Sequence, residues 1–150
     1  MAAYEMMMSR YPQLVFKEKA MPKGLFGIYF DNEIHINKII GLHDKHCTLA
    51  EEIGHFETTY GDITDQTVLR NRQLENIARR WAYKKVVSLD KIIECYLQGH
   101  TTLYDMCNHL EITPKFLKTS IDFYIARYGG SKRYRDYIVM FEPLNVRKLE

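Results

Sequence analysis

The chain's three cysteines, Cys47, Cys95 and Cys107, form no CxxC pair and are odd in number. Neither a disulfide framework nor a thiolate zinc knuckle is therefore indicated, and a reducing compartment is expected. No apolar run is long enough to span a bilayer, which argues against membrane insertion. Residues Met1 to Leu14 are methionine-rich but lack a basic leader, a long apolar core and a small-residue cleavage site. No export signal is read there, and a cytoplasmic location is expected. A large excess of one charge is missing too: the net charge is +2 and the pI near 8.4, which gives no strong global attraction to nucleic acid. Internal repeats, low-complexity tracts and linkers are absent.

What is present suits one folded unit. The 150 residues, 46% hydrophobic and 27% charged, are enough to bury most apolar side chains in a single core. Charge is unevenly spread. Thr113 to Glu150 holds eight Lys or Arg against four Asp or Glu, while Glu51 to Asp65 holds five carboxylates and no Lys or Arg.

Ala3 to Tyr11 reads as a short helix stopped by Pro12, because proline cannot continue a helical ladder. Leu14 to Phe16 and Leu25 to Phe30 are rich in β-branched and aromatic residues, and Asp31-Asn32 supplies a turn into Glu33 to Asn37. In that last strand Ile34 and Ile36 alternate with Glu33, His35 and Asn37, so one face is expected buried and the other, with His35, open to water. From Thr48 the period becomes helical, with Leu49, Ile53 and Phe56 on one face and Gly61 as a stop. His43 and His46 fall before this helix as loop residues, and Asp62 to Gln66 reads as a polar loop whose Asp62 and Asp65 serve turns and caps. A second helix runs from Val68 to about Val87, with Ile77, Ala78, Trp81, Ala82 and Val86 as its buried stripe. Ser88 caps a third helix that ends before Gly99, Thr102 opens a fourth, and Thr113-Pro114 starts a fifth that reaches Tyr128. After Gly129-Gly130, Tyr134 to Phe141 reads as one strand, with Leu144 to Val146 as a continuation beyond Pro143.

The chemistry is concentrated in Glu51-Glu52-Ile53-Gly54-His55. Positions 51 and 55 are one helical turn apart on one face and can converge on a single ion, with Glu52 beside them. In an HExxH helix two ligands at this spacing bind zinc, and the glutamate between them polarises the bound water. Here Glu51 stands where the first histidine would be. Carboxylate oxygen also binds zinc, although the added negative charge weakens the preference for zinc over manganese or iron. A third ligand is expected from the next helix. Glu75, with Ala78 and Ala82 at i+3 and i+7, would point inward beside small residues that let two helices approach closely.

The run Leu49-Ala50-Glu51-Glu52-Ile53-Gly54-His55, with Glu75, Ala78, Trp81 and Ala82 downstream, resembles the ImmA/IrrE metallopeptidase family. There a leucine-alanine-HExGH helix is followed by a glutamate-bearing helix with an alanine-aromatic-alanine pattern. The resemblance covers roughly Leu25 to Val87. Gly99, Thr113 to Gly129 and Tyr137 to Pro143 are similar to the C-terminal part of phage-borne members with EEIGH or EELGH. It implies a mainly helical α+β fold with a zincin-like two-helix metal site, a small N-terminal antiparallel sheet and a helix-turn-helix-like C-terminal half. As one domain, residues 1–87 would form the catalytic part and 88–150 a helical cover with a final strand. It further implies Glu52 as general base and His55 and Glu75 as ligands of zinc; Glu51 departs from the family's histidine, and its helical spacing makes it the remaining ligand. The substrate would be a protein, such as a phage or mobile-element transcriptional repressor. The strand Glu33 to Asn37, with Ile34 and Ile36, would be the edge on which an extended substrate pairs. Tyr60, Tyr83 and His109 are candidate oxyanion donors.

Two other readings compete. Thr102 to Tyr128 reads as two helices joined by a short turn and, with the helix before Gly99, imitates a three-helix DNA-binding fold in which Lys115, Lys118 and Arg127 meet phosphate or bases. Alternatively, the change at Glu51 leaves a metal-free module that binds a regulator without cutting it.

Overall fold

The structure, a computed structural model, describes residues 1–58 and 68–150, with no side-chain description for 68–71. The expectations on Tyr60, Gly61, Asp62 and Asp65 lie outside the described residues. Those described form an α+β protein with six helices and two three-stranded sheets. They divide into two units, Met1–Ala82 and Tyr83–Glu150.

In the first unit, α1 (Ala3–Ser9) is followed by β1 (Val15–Lys19), β2 (Gly27–Phe30), β3 (Glu33–Asn37), α2 (Leu42–Thr58) and most of α3 (Val68–Val86). The expected hairpin joins β2 to β3. Asp31 and Asn32 both take positive φ, 47° and 60°, the backbone that a two-residue hairpin turn requires and that Asp and Asn tolerate better than most residues. The sheet is not purely antiparallel as expected: β1 pairs in parallel with β3, and the order is β1-β3-β2. Nothing local in a sequence encodes a pairing made across an intervening strand.

Ile34, Ile36, Leu49, Ala50 and Ile53 form the buried layer, with Tyr4, Met7 and Leu14. The Phe56 ring meets Tyr11 and Tyr29 edge-on at 6.2 and 6.1 Å. The second face of β3 is covered too, contrary to expectation. His35 is 9% exposed beneath the Phe30 ring, 4.9 Å away. Asn37 is buried with both ends of its amide used: Nδ2 donates to the Leu25 carbonyl, and Oδ1 accepts from the Ile39 amide. Burying such a group is tolerable only because its hydrogen bonds are made.

Helix α2 begins at Leu42, six residues before the expected start, so His43 and His46 lie within it and His46 is buried. Leu42, His46, Leu49 and Ile53 continue one periodic face, and a histidine in an apolar slot concealed the first turn. On α3 the buried stripe is Ala78, Ala82 and Val86, whereas Ile77 is 41% exposed. The two helices cross at their smallest residues. A Cβ placed on Gly54 would lie 2.5 Å from the Ala78 carbonyl oxygen and 3.1 Å from its carbon.

The second unit takes the end of α3 from Tyr83, then α4 (Leu89–Leu97), α5 (Leu103–Leu110), α6 (Pro114–Tyr128), β4 (Ser131–Tyr134), β5 (Tyr137–Phe141) and β6 (Leu144–Lys148). Three hydroxyl caps start its helices as expected: Ser88, Thr102 and Thr113 each accept a hydrogen bond from the amide three residues on, at 3.1 Å. Each such cap contributes about 1 kcal/mol. Ile92, Met106, Ile112, Leu117, Val139 and Phe141 form the core. Two tyrosines tie elements together through their hydroxyls: Tyr124 donates to the Val87 carbonyl at 2.7 Å, and Tyr96 donates to the Leu144 carbonyl at 2.6 Å. The single strand expected over Tyr134 to Phe141 is instead the second arm of a hairpin, turned at Arg135 with φ 56°. With β6 it makes an antiparallel meander. An arginine in a left-handed turn carries none of the glycine or asparagine signal that marks such turns.

Because Gly54 leaves no room for a methyl group against the α3 backbone, Gly54→Ala is expected to destabilise the protein by about 1–3 kcal/mol through overpacking. Gly130→Ala, where no atom lies within 4 Å of the added carbon, should change stability by less than about 0.5 kcal/mol. Chemical denaturation of the two variants side by side measures both.

Candidate active site

The crossing at Gly54 and Ala78 determines which side chains meet. His55 follows Gly54 directly, and Glu75 lies one turn before Ala78. The two are brought together, with Nε2 of His55 3.1 Å from Oε1 of Glu75. His55 is 15% exposed and Glu75 50%, so the pair opens from the helix crossing towards solvent.

Glu52 sits deeper. Burial raises its carboxyl to about 8, helped by the neighbouring charges of Glu75 and Glu51. Removing a carboxylate from water disfavours its ionised form, and two further carboxylates close by disfavour it again. All four residues singled out by the EEIGH run and by Glu75 therefore belong to one electrostatic cluster. Perturbed carboxyls of this kind gather at functional sites.

Among the described residues no group of three His, Cys, Asp or Glu side chains is arranged to hold a metal ion. The pair that does meet nevertheless suits one. Two ligands on a tetrahedral zinc, each at about 2.0–2.1 Å, are roughly 3.3 Å apart, close to the His55–Glu75 separation. Carboxylates crowded together are also what a divalent cation relieves.

The expected substrate contacts are corrected. Ile34 and Ile36 are 0% and 1% exposed, and β3 is the centre strand, paired on both sides. Neither its backbone nor these side chains can receive a substrate. Among the described residues the outer strands of this sheet are β1 and β2. Along β2 and the residues just before it, Leu25, Phe26, Ile28 and Phe30 are each about 40% exposed, an apolar row that the sequence displayed without revealing which strand lies at the edge. Of the candidate oxyanion donors, Tyr83 and His109 lie in the second unit. Tyr83 packs its ring on Phe116 and Phe123, and His109 stacks on His100 at 4.5 Å beside Glu94.

The chain matches no model of a known protein family, and no curated protein matches it.

The raised carboxyl of Glu52 has a definite effect on stability. In the unfolded chain this group ionises in the ordinary carboxylate range, whereas the folded protein keeps its proton until about pH 8. Between those values the folded state binds more protons, so stability falls as pH rises and levels off above 8. With chelator present, Glu52→Gln should remove that loss and be more stable than wild type at pH 8 by roughly 2–4 kcal/mol. The difference should vanish near pH 4, and thermal melts across the range measure it.

Proposed function

We propose that the chain is a metal-dependent endopeptidase of the ImmA/IrrE type, acting on a protein substrate such as a phage or mobile-element transcriptional repressor. The observation that carries this reading is the His55–Glu75 contact at 3.1 Å beside a glutamate held near neutrality. In this reading His55 and Glu75 bind the ion, and Glu51, one turn before His55, completes the set in place of a histidine. A cation held there, zinc or alternatively manganese or iron, would supply Lewis-acid polarisation of a carbonyl and a more acidic water.

Glu52 is the proton carrier. A carboxyl poised near neutral pH can accept a proton from water and later return it to the leaving amine, and burial together with the neighbouring Glu75 and Glu51 gives it that poise. The role first assigned to β3 passes to β2, which among the described residues is an outer strand and would give an extended chain an edge to pair with and an apolar row for its side chains. This requires a substrate segment that is locally unfolded, as strand addition does.

Elemental analysis of protein purified without chelator tests the assignment. About one equivalent of metal is expected in wild type, with loss in His55→Ala, Glu75→Ala and Glu51→Ala. Glu52→Gln should keep the metal and lower cleavage of a fluorescence-quenched peptide library by about 10²–10⁴-fold, the usual contribution of a general base. A folded wild type that takes up none of zinc, manganese and iron would overturn the enzyme reading and leave a module that binds a regulator without cutting it.

A further inference from the structure

We propose that the second unit binds duplex DNA through α6 and the β4–β5 hairpin that follows it. The proposal does not depend on the metal site, which lies in the first unit.

Three independent observations converge. First, α5 and α6 are joined by only three residues, Glu111 to Thr113. Glu111 takes the left-handed conformation at φ 58°, Ile112 is wholly buried, and the Thr113 hydroxyl caps α6. A short, anchored turn of this kind is what a helix-turn-helix uses, and there the second helix enters the major groove by its N-terminal residues.

Second, α6 buries Phe116, Leu117, Ser120 and Tyr124 and leaves Pro114, Lys115, Lys118, Asp122 and Ala126 exposed on the opposite side. Two lysines therefore stand on the first turns of the helix, where the peptide dipole adds to their positive field. Among the described residues neither makes an ion pair.

Third, the charge is concentrated here and nowhere else in the unit to this degree. From Thr113 to Arg135 there are six Lys or Arg and one acid, Asp122, in a protein of net charge +2. At the helix end the Tyr128 ring holds two cations, with Arg127 at 5.6 Å and Lys132 at 4.9 Å from its centre. Arg133 is exposed on β4, opposite Ile138, and Arg147 stands opposite the same residue on β6. A helix that leads through Gly129-Gly130 straight into a basic hairpin gives one element for the groove and one for the adjoining phosphates.

The geometry favours DNA over RNA. A major groove about 12 Å wide admits a helix such as α6, whereas the deep, narrow groove of an A-form duplex does not. A second basic surface, Arg72, Arg79 and Arg80 on the exposed side of α3, lacks the turn and the hairpin and serves as the internal control.

The test is fluorescence anisotropy of the full chain with a random-sequence 20-bp DNA duplex and an RNA duplex of the same sequence, across salt concentrations. Binding should favour DNA, with log K falling against log salt at a slope of about −3 for three engaged cations, Lys115, Lys118 and one of Lys132 and Arg133, which face opposite sides of β4. Lys115→Ala/Lys118→Ala should weaken binding about tenfold or more and make the slope shallower by about 2. Both side chains are exposed, so the variant should keep the wild-type circular dichroism spectrum. Arg72→Ala/Arg79→Ala/Arg80→Ala should change affinity less than about threefold. No saturable DNA binding, equal affinity for the RNA duplex, or binding lost in the α3 variant and retained in the α6 variant would each overturn the proposal. None of these outcomes bears on metal content.

Discussion

The first unit depends on one close approach, the crossing of α2 over α3 where Gly54 meets the backbone of Ala78. Two helices can come so near only where neither offers a side chain at the contact, and small residues on both provide this. The consequence reaches the chemistry directly. Side chains one position or one turn away from such a crossing point are forced into each other's company, and His55 and Glu75 occupy those places. A larger residue at either small position would separate the helices and with them the only imidazole–carboxylate pair in the cluster.

Electrostatics sets the cost of that arrangement. Glu51, Glu52 and Glu75 crowd together on the two helices, and the most buried of them keeps its proton well above the ordinary carboxylate range. A site built only for stability would use apolar side chains of similar volume here, since buried ionisable groups rarely add stability. Retaining three carboxyls around one histidine is the kind of local inconsistency that marks a place where the fold serves something besides itself.

Much of this was legible in the residues, for identifiable reasons. The caps at Ser88, Thr102 and Thr113 act within four residues of chain, so their spacing announces them. The Asp31-Asn32 turn does the same through backbone preference. The one-turn relation of Glu51 to His55 follows from helical periodicity alone. What escaped was set by distance or by disguise. The parallel pairing of β1 to β3, which moves the free edge from β3 to β2, depends on chain path and not on composition. His46 filled an apolar slot and hid the first turn of α2, His35 was covered by Phe30, and Arg135 made a left-handed turn without the usual residues. The meeting of His55 with Glu75 was inferred from their placement on successive helices, but its 3.1 Å geometry belongs to the tertiary crossing.

The outer edge of β2 carries a further implication. A strand at the rim of a sheet presents unpaired amides and carbonyls, and this one shows neither proline nor lysine along Gly27–Phe30 to discourage a partner. Its exposed Ile28 and Phe30 offer apolar surface on which an extended chain, including another copy, could lie. If the edge receives substrate, self-association and turnover compete for the same backbone groups. Under the proposed reading, a peptidase using this edge would then be expected to work best when dilute.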